Sequence, residues 1–344
     1  MGDNEQIDFQ TAKAIANGLF VDVRSESEYA VDHIPGSVSL PIFSDSEREQ
    51  IGQVYRQISP AQARFLGLEM IAPKLPEYLK SLNRRSQGQT PILYCWRGGM
   101  RSEVVSAMAK IMHIHCYRLS RGYKAYRSTV VTFFESLPAY RIYQLQGLTG
   151  VGKTAILPCL KELGIQTLDL EGMACNRGSV FGGVGLADQP SQKMFESLLW
   201  QELSLLNPQK PIIVECEGRR IGRLLLPDPF FQQMRKGERI LVYDSLENRI
   251  ERIIQEYTQT ASMDEVLLAL DGLSKSLIKS KIIELQQMLK AGELKLFIES
   301  LLVNYYDPFY RYPSHSERSV ILSVDGAISA DAALILSKFF TQMG

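Results

Sequence analysis

The stretch "GLTGVGKT" at residues 147–154 constrains this chain more than any other, because it fits G-x-x-x-x-G-K-S/T in full. The apolar run "YRIYQLQ" (140–146) precedes it, and "AILPCLKELG" (155–164) follows with helical spacing. Strand, glycine-rich loop and helix in that order make a phosphate-binding loop, in which N–H groups at the helix start cradle an anion. Gly147, Gly150 and Gly152 permit the tight wrap, Lys153 supplies a point charge, and Thr154 offers a hydroxyl to Mg²⁺. Such a unit belongs in a parallel α/β sheet. Further strands are predicted at 166–170, 211–215, 239–244 and 319–325. Helices are predicted at 191–206, 245–257, 262–270, 274–290, 293–304 and 329–342. The loop specifies phosphate, but neither a base nor hydrolysis. The usual hydrolytic partner is an Asp ending an apolar strand. "PIIVECEG" offers Glu215 and Glu217 in its place, and a pyrophosphate carried by another molecule satisfies the same cradle.

A second strand–loop–helix lies upstream. "GLFVDVR" (18–24), "SVSLP" (37–41) and "TPILYC" (90–95) read as strands, "HIPGS" as a Pro-Gly turn, and "SEVVSAMAKIM" (102–112) as a helix with Ser102 as its N-cap. Between the third strand and the helix stands "CWRGGMR". A thiolate forms more readily beside positive charge and a helix N-terminus, and ligands of open α/β sheets bind at the carboxyl edge of the strands. Gly98 and Gly99 let N–H groups curl inward into an anion nest. Arg101 can close the ring with a bidentate grip, and Arg97 adds charge. A lone cysteine at a strand end is commonly structural. Two Gly and two Arg within six residues point instead to a reactive Cys95. Cys116, Cys159, Cys175 and Cys216 lack such surroundings and are expected to be structural.

The chain therefore divides into an N-terminal parallel-sheet domain, 1–136, and a phosphate-loop α/β domain with extra C-terminal helices, 137–344. Lys+Arg and Asp+Glu are both 38, so a nucleic acid would need a local basic patch. "CYRLSRGYKAYRS" (116–128) supplies one candidate. Its Arg118, Arg121, Lys124 and Arg127 can pair with phosphates, while Tyr117, Tyr123 and Tyr126 can stack on bases. An ordinary solvated helix face explains it equally well. "EGRRIGR" (217–223) is a second basic cluster, on the loop after a strand. "NRGSVFGGVG" (176–185) reads as a lid bearing Arg177 or as a plain loop, and "YYDPFYRY" (305–312) chiefly as core. The N-terminus lacks a signal-like apolar segment, and no apolar run is long enough to cross a bilayer. Five scattered cysteines suggest neither disulfides nor zinc, so no structural metal and a reducing cytoplasm are expected.

Residues 8–128, through "VDVRSESEYAVDHIPGSVSLP" and "YCWRGGMRS", resemble the rhodanese family, whose cysteine accepts sulfur or selenium. The resemblance makes Asp22, Arg24 and His33 mainly structural. The Cys-x5-Arg spacing also resembles dual-specificity phosphatases, so the loop alone leaves chalcogen transfer and phosphatase chemistry open. As a set, "YCWRGGMRS", "GLTGVGKT", "NRGSVFG", "ECEGRRIG" and "YYDPFY" resemble the bacterial tRNA 2-selenouridine synthase family over essentially the full length. That resemblance implies a tRNA wobble uridine as substrate, selenophosphate as selenium donor, and a prior geranylation of the 2-thiouridine sulfur from geranyl diphosphate. Cys95 would carry selenium, with Arg97 and Arg101 as oxyanion grips, and Gly152, Lys153 and Thr154 would bind the diphosphate. Two rivals remain: a phosphatase using Cys95 and Arg101, and a nucleotide-driven regulatory binding protein.

Overall fold

The computed structural model describes residues 6–215, 218–275, 277–309 and 320–343. The chain splits into two compact units, Met1–Glu135 with Glu196–Gln201, and Ser136–Phe195 with Glu202–Gly344.

In the first unit, strands β1 (Gln6–Ile7), β2 (Gly18–Asp22), β3 (Val38–Ser39), β4 (Thr90–Tyr94) and β5 (Tyr117–Leu119) form a sheet in the order β1-β5-β4-β2-β3, parallel throughout. Central β4 is buried from Pro91 to Tyr94, as a strand covered on both faces must be. Three helices, Asp45–Gln57, Pro60–Ile71 and Leu75–Ser86, separate β3 from β4. The first has no buried residue, so no apolar stripe marks it in the sequence. The helix expected from Ser102 begins at Met100 with Gly99 as its cap. Ser102 sits inside the first turn, fully buried. The glycines turn the chain into the helix early, and the hydroxyl is used against Gly99 O instead.

The basic segment 116–128 enters the helix Gly122–Glu135, whose inner face carries Tyr123, Tyr126, Val130 and Phe134. Tyr123 and Tyr126 are therefore core, only 2% and 0% exposed, and do not present their faces to bases. Arg118 pairs with Glu103, and Arg127 with Glu196. Only Arg121 and Lys124 of the four expected cations are exposed.

In the second unit, β6 (Arg141–Gln146), β7 (Gln166–Leu168), β8 (Pro211–Glu215), β11 (Glu238–Tyr243) and β12 (Val320–Asp325) make another fully parallel sheet, ordered β12-β11-β6-β8-β7. Its core gathers Leu145, Ile156, Leu160, Ile213, Val242 and Leu336. A second apolar core, with Phe181, Leu285, Phe297 and Leu301, forms among the helices Leu246–Thr260, Met263–Gly272, Lys279–Lys290 and Leu294–Leu301. The last continues as a π-helical turn, Leu302–Tyr306. The basic cluster expected on the loop after a strand carries a short strand, β9 (Arg220–Ile221), which pairs antiparallel with β10 (Leu224–Leu225) just beyond it. Cys216, Glu217, Ser319 and residues 310–312 lie outside the described residues. Among the described residues no helix is long and apolar enough to cross a membrane.

Candidate active site

Cys95 follows β4 directly. The start of the helix Gly122–Glu135 clamps its loop: Tyr123 N donates to Cys95 O (2.8 Å) and Lys124 N to Trp96 O (3.0 Å). Gly122 has φ +55°, and any Cβ there would collide with the Cys95 carbonyl. That close approach explains the "SRGY" sequence. The thiol is almost buried, 3% exposed. Its Sγ lies 3.3 Å from Ser102 Oγ and 3.7 Å from Gly99 O. Sequence reasoning missed this use of Ser102, because a helix-start serine signals a cap more strongly than a thiol partner.

Arg101 is engaged elsewhere. Its guanidinium meets Glu28 at 2.5 and 3.3 Å, and Arg48 reaches the same carboxylate at 3.1 Å. Burial pushes the Glu28 carboxyl up, but the hydrogen bond and charge of Arg101, with Arg48, outweigh it and hold Glu28 below its ordinary value. Arg97 is exposed, with no side-chain partner among the described residues.

The frame beneath the loop is ionic and aromatic. Asp22 and Arg24 are both fully buried and pair at 2.6 Å. Arg24 also donates to Asp32 O at 2.7 Å, and its guanidinium lies 4.2 Å from the Tyr123 ring. The opening of the helix Glu26–Val31 by Ser25 and Glu28 as a capping box keeps Glu28 next to this frame.

In the second unit Gly147, Gly150 and Gly152 lie in the loop after β6, and Lys153 and Thr154 open the helix Lys153–Glu162 that follows it. A Cβ at Gly147 would strike the Val242 carbonyl of β11. Lys153 Nζ lies over its own loop, donating to Gly147 O (3.0 Å) and Leu148 O (3.2 Å). Thr154 Oγ1 donates to Glu171 Oε2 at 3.2 Å. Two arginines one turn apart on the helix Leu246–Thr260 brace the loop. Arg249 Nε donates to Thr149 O (2.8 Å), and Arg252 donates to Gly150 O and Gly326 O while pairing with Asp244 at 2.9 Å. The sequence signal for them, "NRIER" on an amphipathic helix, is indistinguishable from a solvated face.

Glu215 ends β8 beside Leu145 and is fully buried. Its Oε2 accepts from Leu170 N (3.3 Å), while Oε1 has no partner among the described residues. Burial first, then the nearby Asp169 and Glu171, push its pKa up to about 9, so it is a neutral acid at pH 7. Among the described residues no group of three His, Cys, Asp or Glu could hold a metal ion.

A cavity of about 640 Å³ opens on the phosphate loop. Its polar lining includes Lys153, Thr154, Arg177 and Arg252 and also Glu171, Ser179, Glu256, Thr258 and Ser262. Val266, Leu289, Phe297, Ile298, Leu301 and Leu302 supply hydrocarbon. The glycine-rich stretch 176–185 also contributes: Arg177 lies 5.2 Å from the Tyr257 ring and donates to Val184 O at 3.0 Å. Tyr306, from the segment expected chiefly as core, is part of the same wall.

The sequence was compared with known families. A model described as the tRNA 2-selenouridine synthase AAA domain matches residues 140–332, and a rhodanese-like domain model matches 8–129. Proteins named tRNA 2-selenouridine synthase from Nitrosomonas europaea and Nitrosomonas eutropha are each 30% identical, over 88% and 89% of this chain and 91% of theirs. One from Psychromonas ingrahamii is 29% identical, over 85% of this chain and 87% of its own. With the thiol loop and the phosphate loop in the two matched regions, the chain belongs to the tRNA 2-selenouridine synthase family.

Proposed function

We propose that the chain is a tRNA-modifying transferase of the cytoplasm that converts wobble 2-thiouridine to 2-selenouridine, using selenophosphate and an S-geranylated intermediate made from geranyl diphosphate. The names of its relatives supply tRNA and selenouridine. The observation that carries the geranyl step is the cavity, which joins a phosphate loop to hydrocarbon walls in 640 Å³, within the roughly 300–1,000 Å³ of small-molecule sites. An isoprenoid diphosphate needs an anion cradle and an apolar sleeve.

In the first step the thiocarbonyl sulfur attacks C1 of the geranyl group. The C1–O bond breaks, pyrophosphate leaves, and N3 of the base gives its proton to solvent. Lys153, with the loop amides, stabilises charge on the departing pyrophosphate, and Arg177 and Arg252 line the same space. Mg²⁺ arriving with the diphosphate would be held by Thr154 and Glu171. Alkylation turns the sulfur into a leaving group: the Cys95 thiolate attacks C2 and geranylthiol leaves. The selenium of selenophosphate then attacks C2 and releases Cys95, and water takes the phosphoryl group from selenium to give phosphate and 2-selenouridine. Cys95 is thus the nucleophile we assign to selenium exchange, with Arg97 and Arg101 as grips on the selenophosphate anion; Arg101 would exchange Glu28 for the anion.

Mass spectrometry of nucleosides from thiolated tRNA tests the proposal. Geranyl diphosphate alone should yield geranylthiouridine, and adding selenophosphate should yield selenouridine. Unchanged thiouridine under both conditions would overturn it.

A further inference from the structure

Trp96, next to the thiol, is 39% exposed although it is the largest side chain of its loop. It is not loose. Its ring stacks on Tyr123 with centroids 5.1 Å apart and planes 29° apart. Tyr123 is fixed in turn by its hydroxyl on buried Asp32 and by the Arg24 guanidinium at 4.2 Å. Arg24 also lies 5.9 Å from the Trp96 ring. The fold thus uses a buried ion pair and a buried tyrosine to hold one indole in a fixed orientation, partly in water. An exposed indole forgoes burial that would otherwise stabilise the fold.

The exposed charged residues of its loop and of the Gly122 clamp are all cations. Arg97 shares the loop, and Arg121 and Lys124 flank the Gly122 clamp. All three are exposed, and none has a side-chain partner among the described residues. The other two cations of the segment, Arg118 and Arg127, are held in ion pairs. A braced aromatic ring beside three unpaired cations is the arrangement that binds an unstacked base between flanking phosphates.

We infer that Trp96 is the platform on which the target nucleobase stacks when it leaves the anticodon stack, with Arg97, Arg121 and Lys124 gripping the neighbouring phosphates. The inference rests on the tRNA reading above and adds the binding site to it. Stacking beside Cys95 brings C2 of the base to the nucleophile. It also explains how one small loop can accept a thiolated, an alkylated and a selenated base in turn: a π face is common to all three.

The test is a thermodynamic cycle with an anticodon stem-loop RNA bearing 2-thiouridine, and the same RNA with an abasic site at that position. Trp96→Ala should weaken binding of the intact RNA by roughly 5- to 150-fold and leave the abasic RNA nearly unaffected. Trp96→Tyr, which keeps a ring over Tyr123, should restore most of the loss. Arg121→Gln with Lys124→Gln should weaken both RNAs equally and reduce the salt slope by about 0.7 per lost contact. Equal weakening of both RNAs by Trp96→Ala, or no weakening, overturns the platform. If the wild type binds neither RNA, the tRNA reading falls as well.

Discussion

The Cys95 loop and the phosphate loop both leave a parallel strand at its carboxyl edge and enter a helix through glycines, yet they treat buried charge in opposite ways. Beside the first, Asp22 ends β2 fully buried and meets Arg24 at 2.6 Å. Beside the second, Glu215 ends β8 equally buried, pairs with no cation among the described residues, and faces Asp169 and Glu171. The first edge is neutralised in advance and rigid. It presents one nearly buried thiol, whose position is set by Ser102 and the Gly122 clamp. The second edge keeps its lysine folded on its own carbonyls and opens on a large cavity. A single positioned nucleophile needs the former, and a site for a long ligand with a charged head needs the latter.

The sharpest way to break this division of labour is Cys95→Ser. A hydroxyl is a far weaker nucleophile than a thiolate at neutral pH, so selenouridine should fall to background. Geranylthiouridine should form as in the wild type, because the cavity is untouched. Both are read by nucleoside mass spectrometry. Normal selenouridine formation would remove Cys95 as the nucleophile.

Lys153→Ala strikes the other loop. Removing a transition-state donor of this kind costs about 3–4 kcal/mol, so geranylation should slow by roughly 10²–10³. Tight tRNA binding should persist, and tRNA geranylated beforehand should be selenated at the normal rate. Wild-type geranylation should need neither ATP nor GTP. A nucleotide requirement, or failure of geranylated tRNA to bypass the defect, would mean that the loop is a nucleotide site.

Phe297→Ala sharpens what the cavity selects. Phe297 is 4% exposed, packs edge-on against Phe181 with centroids 6.4 Å apart, and forms part of the hydrocarbon wall. Opening that space should raise the farnesyl-to-geranyl ratio of kcat/KM by about tenfold. An unchanged ratio would put the isoprenoid elsewhere.

Both loops were legible in the sequence because each is local: a strand, a few glycines and a helix start lie within about a dozen residues. What surrounds them was not. Glu28 reaches Arg101 across 73 positions, and Arg249 and Arg252 reach the phosphate loop across 100 and 102. No periodicity encodes such contacts. The basic segment failed for a different reason. Its tyrosines alternate with cations at helical spacing, so the pattern that suggested base stacking was the buried stripe of a helix. The exposed ring, Trp96, stood in the adjoining loop without any pattern to mark it. The helix Asp45–Gln57 was silent because it buries nothing.

The contrast in buried charge has a consequence for stability that depends on pH. With its pKa raised from 4.5 to about 9, Glu215 stays protonated in the folded chain over a range where the unfolded chain ionises it. Below pH 4.5 both states hold the proton and nothing is lost. Between 4.5 and about 9 the unfolded state gains by releasing it, so folded stability declines as pH rises, by at most about 1.4 kcal/mol per pH unit. Glu215→Gln has nearly the same shape and cannot ionise. Its melting temperature should match the wild type near pH 4.5 and exceed it increasingly up to pH 8. A difference that does not vary with pH would mean that Glu215 is ionised in the fold, paired with a cation as Asp22 is with Arg24, and the two edges would then be alike.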